Sequence, residues 1–106
     1  MSSAEQRRHE RARVYVIVPW GRGPDCLYAD RVTNFSAGGC FLQTERWAPP
    51  GAEVFVRLWV SEERALRCAV RYHMEGVGLG LEFKDISDGE RQVLGGLVDD
   101  YRAFDQ

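Results

Sequence analysis

Asn34-Phe35-Ser36-Ala37-Gly38-Gly39-Cys40-Phe41-Leu42 reads (D/N)-x-S-x-x-G followed by an apolar run. Its polar half is a turn. Asn and Ser fold their side chains onto nearby backbone, and two adjacent glycines permit positive φ. Its apolar half opens a strand running from Gly39 to Thr44. A strand that leaves a tight turn needs a partner arriving at it, and Cys26 to Thr33 supplies one. Upstream, Arg13 to Val18 is β-branched and aromatic and ends in the Pro19-Trp20-Gly21-Arg22-Gly23-Pro24 turn cluster. Downstream of the Pro49-Pro50-Gly51 break, Val54, Val56, Leu58 and Val60 alternate with Phe55, Arg57 and Trp59. That is period two, with opposite faces. Arg64 to Tyr72 and Val77 to Phe83 continue the pattern, separated by Glu75-Gly76. The period then changes. Ser87-Asp88-Gly89-Glu90 is a capping box, and Val93, Leu94, Leu97, Val98, Tyr101 and Phe104 recur at helical spacing. Gly95-Gly96 in the middle of this helix predicts either a kink or a very close contact. Six short strands, tight turns and one amphipathic helix describe an all-β fold: a six-stranded antiparallel barrel with a C-terminal helix as lid.

The chain has 106 residues, enough for one domain and not two. Its formal net charge is −2, which argues against a broad nucleic-acid or anionic-membrane surface. The distribution is uneven. Arg7, Arg8, Arg11, Arg13 and Arg22 crowd residues 1–24, whereas the last 25 residues are acidic. A basic head beside an acidic end points to a local anion site. Cys26, Cys40 and Cys68 are odd in number, form no C-x-x-C and sit in apolar runs, as buried reduced thiols do. No run approaches the ~20 apolar residues of a membrane-spanning helix, and no signal peptide is evident. The expected compartment is the cytoplasm. Residues 1–12 are polar, without an apolar stripe, and are expected to be a mobile tail, leaving 13–106 as the barrel with its helix. No further domain is expected upstream.

The tail carries Arg7-Arg8-His9-Glu10-Arg11, an R-x-x-x-R motif. Guanidinium donates two hydrogen bonds in a fixed fork and stacks flat on a base, which suits guanine and phosphate. An arginine pair on a polar lead-in, a strand hairpin, then N-x-S-x-x-G resembles the PilZ domain over nearly the whole chain. Gly78-Leu79-Gly80-Leu81-Glu82-Phe83 also resembles that family's last strand. PilZ domains are bacterial receptors for cyclic di-GMP. The resemblance implies that Arg7 and Arg11 clamp guanine and phosphate, and that Asn34, Ser36 and Gly39 form the barrel-side wall. Arg8, Arg13 and Gly38 are additional candidates. Asn34 stands where the pattern allows Asp or Asn. It accepts one guanine hydrogen bond where Asp accepts two, and removes a charge near a dianion.

The resemblance further implies no catalysis, no cofactor beyond the ligand cyclic di-GMP, and a downstream protein partner. Neither a nucleic-acid partner nor membrane insertion is expected. A nucleotide-independent adaptor in motility or secretion is the alternative. A single-stranded nucleic-acid binder on an OB-like barrel would need a basic face with exposed aromatics, and these strands are charge-balanced. His9 and His73 have no metal-spaced partners. Trp20 and Trp47 are expected in loops.

Overall fold

The computed structural model describes residues 12–59 and 63–104. Six strands follow one another: β1 (Ala12–Gly21), β2 (Tyr28–Ser36), β3 (Gly39–Gln43), β4 (Glu53–Trp59), β5 (Glu63–Met74) and β6 (Gly78–Phe83). One helix, α1 (Asp88–Phe104), closes the chain. The strands are all antiparallel to their neighbours and form a closed barrel in the order β1-β2-β3-β6-β5-β4. The expected six-stranded barrel with a C-terminal helix is therefore the observed fold.

The barrel interior is filled from every strand: Val18, Trp20, Val32, Phe35, Leu42, Val54, Val56, Leu66, Val70, Leu79, Leu81 and Phe83 are all buried. Alternation does this work, since residues two apart share a face. Leu94 and Val98 of α1 join the same core, with Val93 and Leu97 at its margin. The helix packs against β1 and β2. Both halves of the capping box are made. The Glu90 N–H donates to Ser87 Oγ at 3.1 Å, and the Ser87 N–H donates to Glu90 Oε1 at 3.1 Å.

Two details depart from the sequence reading. Trp20 is not in a loop: β1 runs on through Pro19 to Gly21, and Trp20 is 1% exposed. Its indole N–H donates to Asp30 Oδ2 at 2.8 Å, and its ring tilts against Tyr28. Second, α1 runs unbroken through Gly95-Gly96, and a Cβ on either glycine would meet nothing within 4 Å. Close packing is absent there. The barrel's closing seam is short. β1 meets β4 only through Trp20↔Val56 and Gly21↔Phe55, although β1 is ten residues long.

Candidate functional site

The motif turn sits at the end of the β2–β3 hairpin, and the chain prepares for it one residue earlier. On the β1 side, Arg13 pairs with Asn34 and Val16 with Val32, so two residues of β1 face Thr33 alone. On the β3 side, Val32 pairs with Leu42 and Asn34 with Phe41, which leaves Thr33 without a counterpart. Both are β-bulges at one level of the barrel. Strict alternation would put Asn34 on the same face as buried Val32. The bulge resets the phase, so Phe35 takes the interior at 2% exposed and Asn34 turns outward. The Asn34 side chain hydrogen-bonds to none of the described residues.

Ser36 is 4% exposed, and its hydroxyl is committed to the turn. It accepts from the Gly38 N–H at 3.2 Å and donates to the Gly39 carbonyl at 3.4 Å. The turn is tied to β6 as well: the Phe83 N–H donates to the Gly38 carbonyl at 3.0 Å. Positive φ was the expected reason for the two glycines, and it is not the observed one. Among the described residues, only Gly51 and Gly76 are glycines with positive φ. Gly39 is required for space. A Cβ there would collide with the Leu81 carbonyl oxygen and crowd Glu82 across the β3–β6 ladder. The glycine therefore lets two backbones close up and brings the turn against the barrel wall.

Asn34 belongs to a continuous cross-strand row. Arg13, Asn34, Phe41, Gly80 and Tyr72 are successive partners from β1 through β2, β3 and β6 to β5. Of the arginine candidates, Arg13 lies in β1 directly beside Asn34. Arg7, Arg8 and Arg11 lie outside the described residues, as does most of the expected 1–12 tail. Ala12 opens β1 opposite Phe35. The structure thus brings Asn34, Ser36, Gly38 and Gly39 to one corner, with the backbone of Arg13 next to it. Sequence reasoning passed over the aromatic half of the row. Phe41 and Tyr72 stack at 6.2 Å between centroids and 30° between planes. The readable signal was the G-x-G spacing in β6, which leaves bare backbone beneath two rings.

An open cleft of about 410 Å³ lies further along the same hairpin, lined by Ile17, Arg31, Gln43 and Val77 among others. Asp30 and Glu45 also line it, which suits a dianion poorly. Arg46 lies nearby, its guanidinium carbon 3.7 Å above the Tyr28 ring in a cation–π contact. All three cysteines are free and buried, and burial pushes the Cys68 thiol well above its usual range. Cys26 is pushed up chiefly by burial, with Arg57 opposing. Among the described residues no group of three or more His, Cys, Asp or Glu could hold a metal ion. His73 meets the edge of Trp47, which is in a loop as expected and 64% exposed. No described helix is long and apolar enough to cross a membrane.

A closed antiparallel barrel with a lid helix and a backbone-tight N-x-S-x-x-G corner on its outer wall is a defined architectural class. The sequence profile of the PilZ domain matches residues 5–100, and the chain belongs to that family. Solved structures agree in fold. The PilZ domain of YcgR from Escherichia coli with c-di-GMP superposes with a TM-score of 0.66 at 13% identity, covering 94% of each chain. The Bacillus subtilis inhibitor of motility MotI/DgrA gives 0.69 at 20% identity, over 94% of this chain and 52% of its own. The K. pneumonia MrkH–c-di-GMP complex gives 0.67 at 18% identity, over 89% and 50%. The chain thus spans about half the length of MotI/DgrA and MrkH. Comparison with curated protein sequences finds no match.

Proposed function

We propose that this PilZ domain is a receptor for cyclic di-GMP that passes the state of the messenger to a partner protein. The observation that carries the reading is the pairing of Arg13 with Asn34. R-x-x-x-R directly precedes β1 in sequence, and Ala12 alone separates Arg11 from Arg13. Two residue steps span at most ~7 Å, and paired Cα atoms sit ~5 Å apart. Chain connectivity therefore keeps the Arg11 Cα within roughly 13 Å of the Asn34 Cα. An arginine and an outward amide within reach of one nucleotide suit guanine and phosphate together.

The roles divide accordingly. Arg7 and Arg11 clamp guanine and phosphate from the segment 1–12, which acts as the ligand-binding arm of the barrel. Asn34 reads the edge of a base. Ser36 acts first through the turn it closes, and Gly38 and Gly39 present that turn's backbone. Arg8 and Arg13 add positive potential. No catalytic step and no resident cofactor belong to this reading. The buried free thiols fit the reducing cytoplasm. The presence of c-di-GMP in structures of YcgR and MrkH supports the ligand assignment.

Calorimetry with cyclic di-GMP, beside GTP and a short oligonucleotide, tests the reading. Arg11→Ala and Arg7→Ala each lower affinity by roughly 5- to 150-fold, the worth of a charge-assisted or bidentate contact, without unfolding the protein. Arg22→Ala leaves affinity nearly unchanged. A wild-type protein that binds none of the three ligands would leave the nucleotide-independent adaptor as the better account.

A further inference from the structure

We propose that Phe41, backed by Tyr72, is a stacking shelf for a purine base of the nucleotide held at Asn34. This rests on the reading of the Asn34 corner as the nucleotide site, and it assigns to that site residues outside its N-x-S-x-x-G and R-x-x-x-R motifs.

Three observations converge on it. Phe41 is the cross-strand partner of Asn34 in β3, on the outer face of the barrel. Partners of this kind hold their Cβ atoms ~5 Å apart. Next, β6 offers no side chain at the two positions beyond Phe41. Gly78 and Gly80 alternate with the core residues Leu79 and Leu81, and both glycines are themselves buried. The tip of the Phe41 ring leans across Gly78, 2.8 Å from where a Cβ would stand. The Tyr72 ring covers Gly80 outright. Two near-parallel rings therefore lie over the β6 glycines, with Phe41 half-buried and Tyr72 47% exposed. Rings laid over sheet glycines do strengthen a sheet, but that role does not require them to continue the row that contains Asn34.

Geometry supplies the function. Base edges are read by hydrogen bonds in the base plane, and base faces are held by stacking. A base lying over Phe41, parallel to the barrel wall, turns its edge toward the adjacent strand and meets the Asn34 amide there. Edge and face are then recognised by neighbouring residues on β2 and β3. Stacking tolerates any purine, so discrimination falls to Asn34 and holding power to Phe41.

The test combines calorimetry with nuclear magnetic resonance. Phe41→Leu keeps the apolar bulk over Gly78 and removes the π-face. It lowers affinity for cyclic di-GMP by about 5-fold or more, since stacking on one ring is worth 5- to 150-fold. Tyr72→Ala lowers it less, up to about 5-fold. Intermolecular Overhauser contacts join the Phe41 ring protons to guanine H8 in the wild-type complex, which settles the point even where a variant folds poorly. Wild-type affinity in Phe41→Leu, or absence of those contacts, overturns the shelf while Arg11→Ala still reports on the site itself. A wild-type protein that does not bind cyclic di-GMP overturns both.

Discussion

Two pairs of adjacent glycines, Gly38-Gly39 and Gly95-Gly96, look alike on paper and do opposite things. At the first pair the barrel is closed to the limit. Gly39 abuts the Leu81 carbonyl, the Gly38 carbonyl accepts from Phe83, and the buried Ser36 hydroxyl bridges the turn. At the second pair nothing approaches within 4 Å of where a Cβ would sit. The first pair is a packing requirement that also shapes the candidate site. The second is a helix defect with no contact to offset it. A glycine's meaning lies in what surrounds it, which adjacency in sequence does not encode.

Substitution should separate the two pairs by sign. Gly39→Ala forces β3 away from β6, and overpacking of this kind costs about 3 kcal/mol or more. For a domain of this size that lowers the melting temperature by on the order of 10 °C, and the corner that carries Asn34 shifts with it. A Gly39→Ala protein that melts with wild type would break the contrast. Gly95→Ala and Gly96→Ala should each stabilise the protein, by about 0.5–1 kcal/mol, because alanine restricts the unfolded chain and fits the helix without strain. Thermal melts that fall would reveal a tertiary contact at α1 and bring the second pair closer to the first.

The smallest effect concerns the charges around the first pair. Glu82 is the cross-strand partner of Gly39, and Arg71 Nη1 donates to its Oε1 at 2.7 Å. That hydrogen bond, aided by Lys84, holds the Glu82 carboxyl below the usual range. A lowered folded-state pKa gives stability that is present above the ordinary glutamate range and lost as pH falls through the lowered value. Both groups are more than a third exposed, so solvent screening limits the pair to a few tenths of a kcal/mol. Arg71→Ala should therefore lie slightly below wild type at neutral pH and converge with it in acid. A gap that widened in acid would reverse the sign and point to another partner for Glu82.

The strands, their order in sequence and the helix cap were legible because each rests on a local signal. Alternation marks β4 and β6, and S-x-x-E marks the start of α1. The residues of the N-x-S-x-x-G corner were legible as a motif, but their mechanics were not. The Thr33 bulges, which decide that Asn34 faces outward, depend on register with β1 and β3 and leave no trace in period-two alternation. The need for Gly39 depends on a carbonyl in β6, more than forty positions away. Trp20 was hidden by its neighbours: Pro19 and Gly21 are punctuation in most contexts, and here they continue a strand that must reach β4 to close the barrel.

That closure has a mechanical consequence. A barrel whose last joint is two residue pairs wide is a split ring held by a small clasp, with α1 packed against the strand on one side of the split. Five joints are long ladders and will hold. Local opening should begin at the short one, and the amides of β1 and β4 that flank it should exchange with solvent first. Because β1 also carries Arg13 to the edge of the candidate site, a ligand that gripped Arg13 and Asn34 together would hold one end of the strand whose other end forms the clasp. Occupancy of the corner would then be felt as tension on the ring's weakest link.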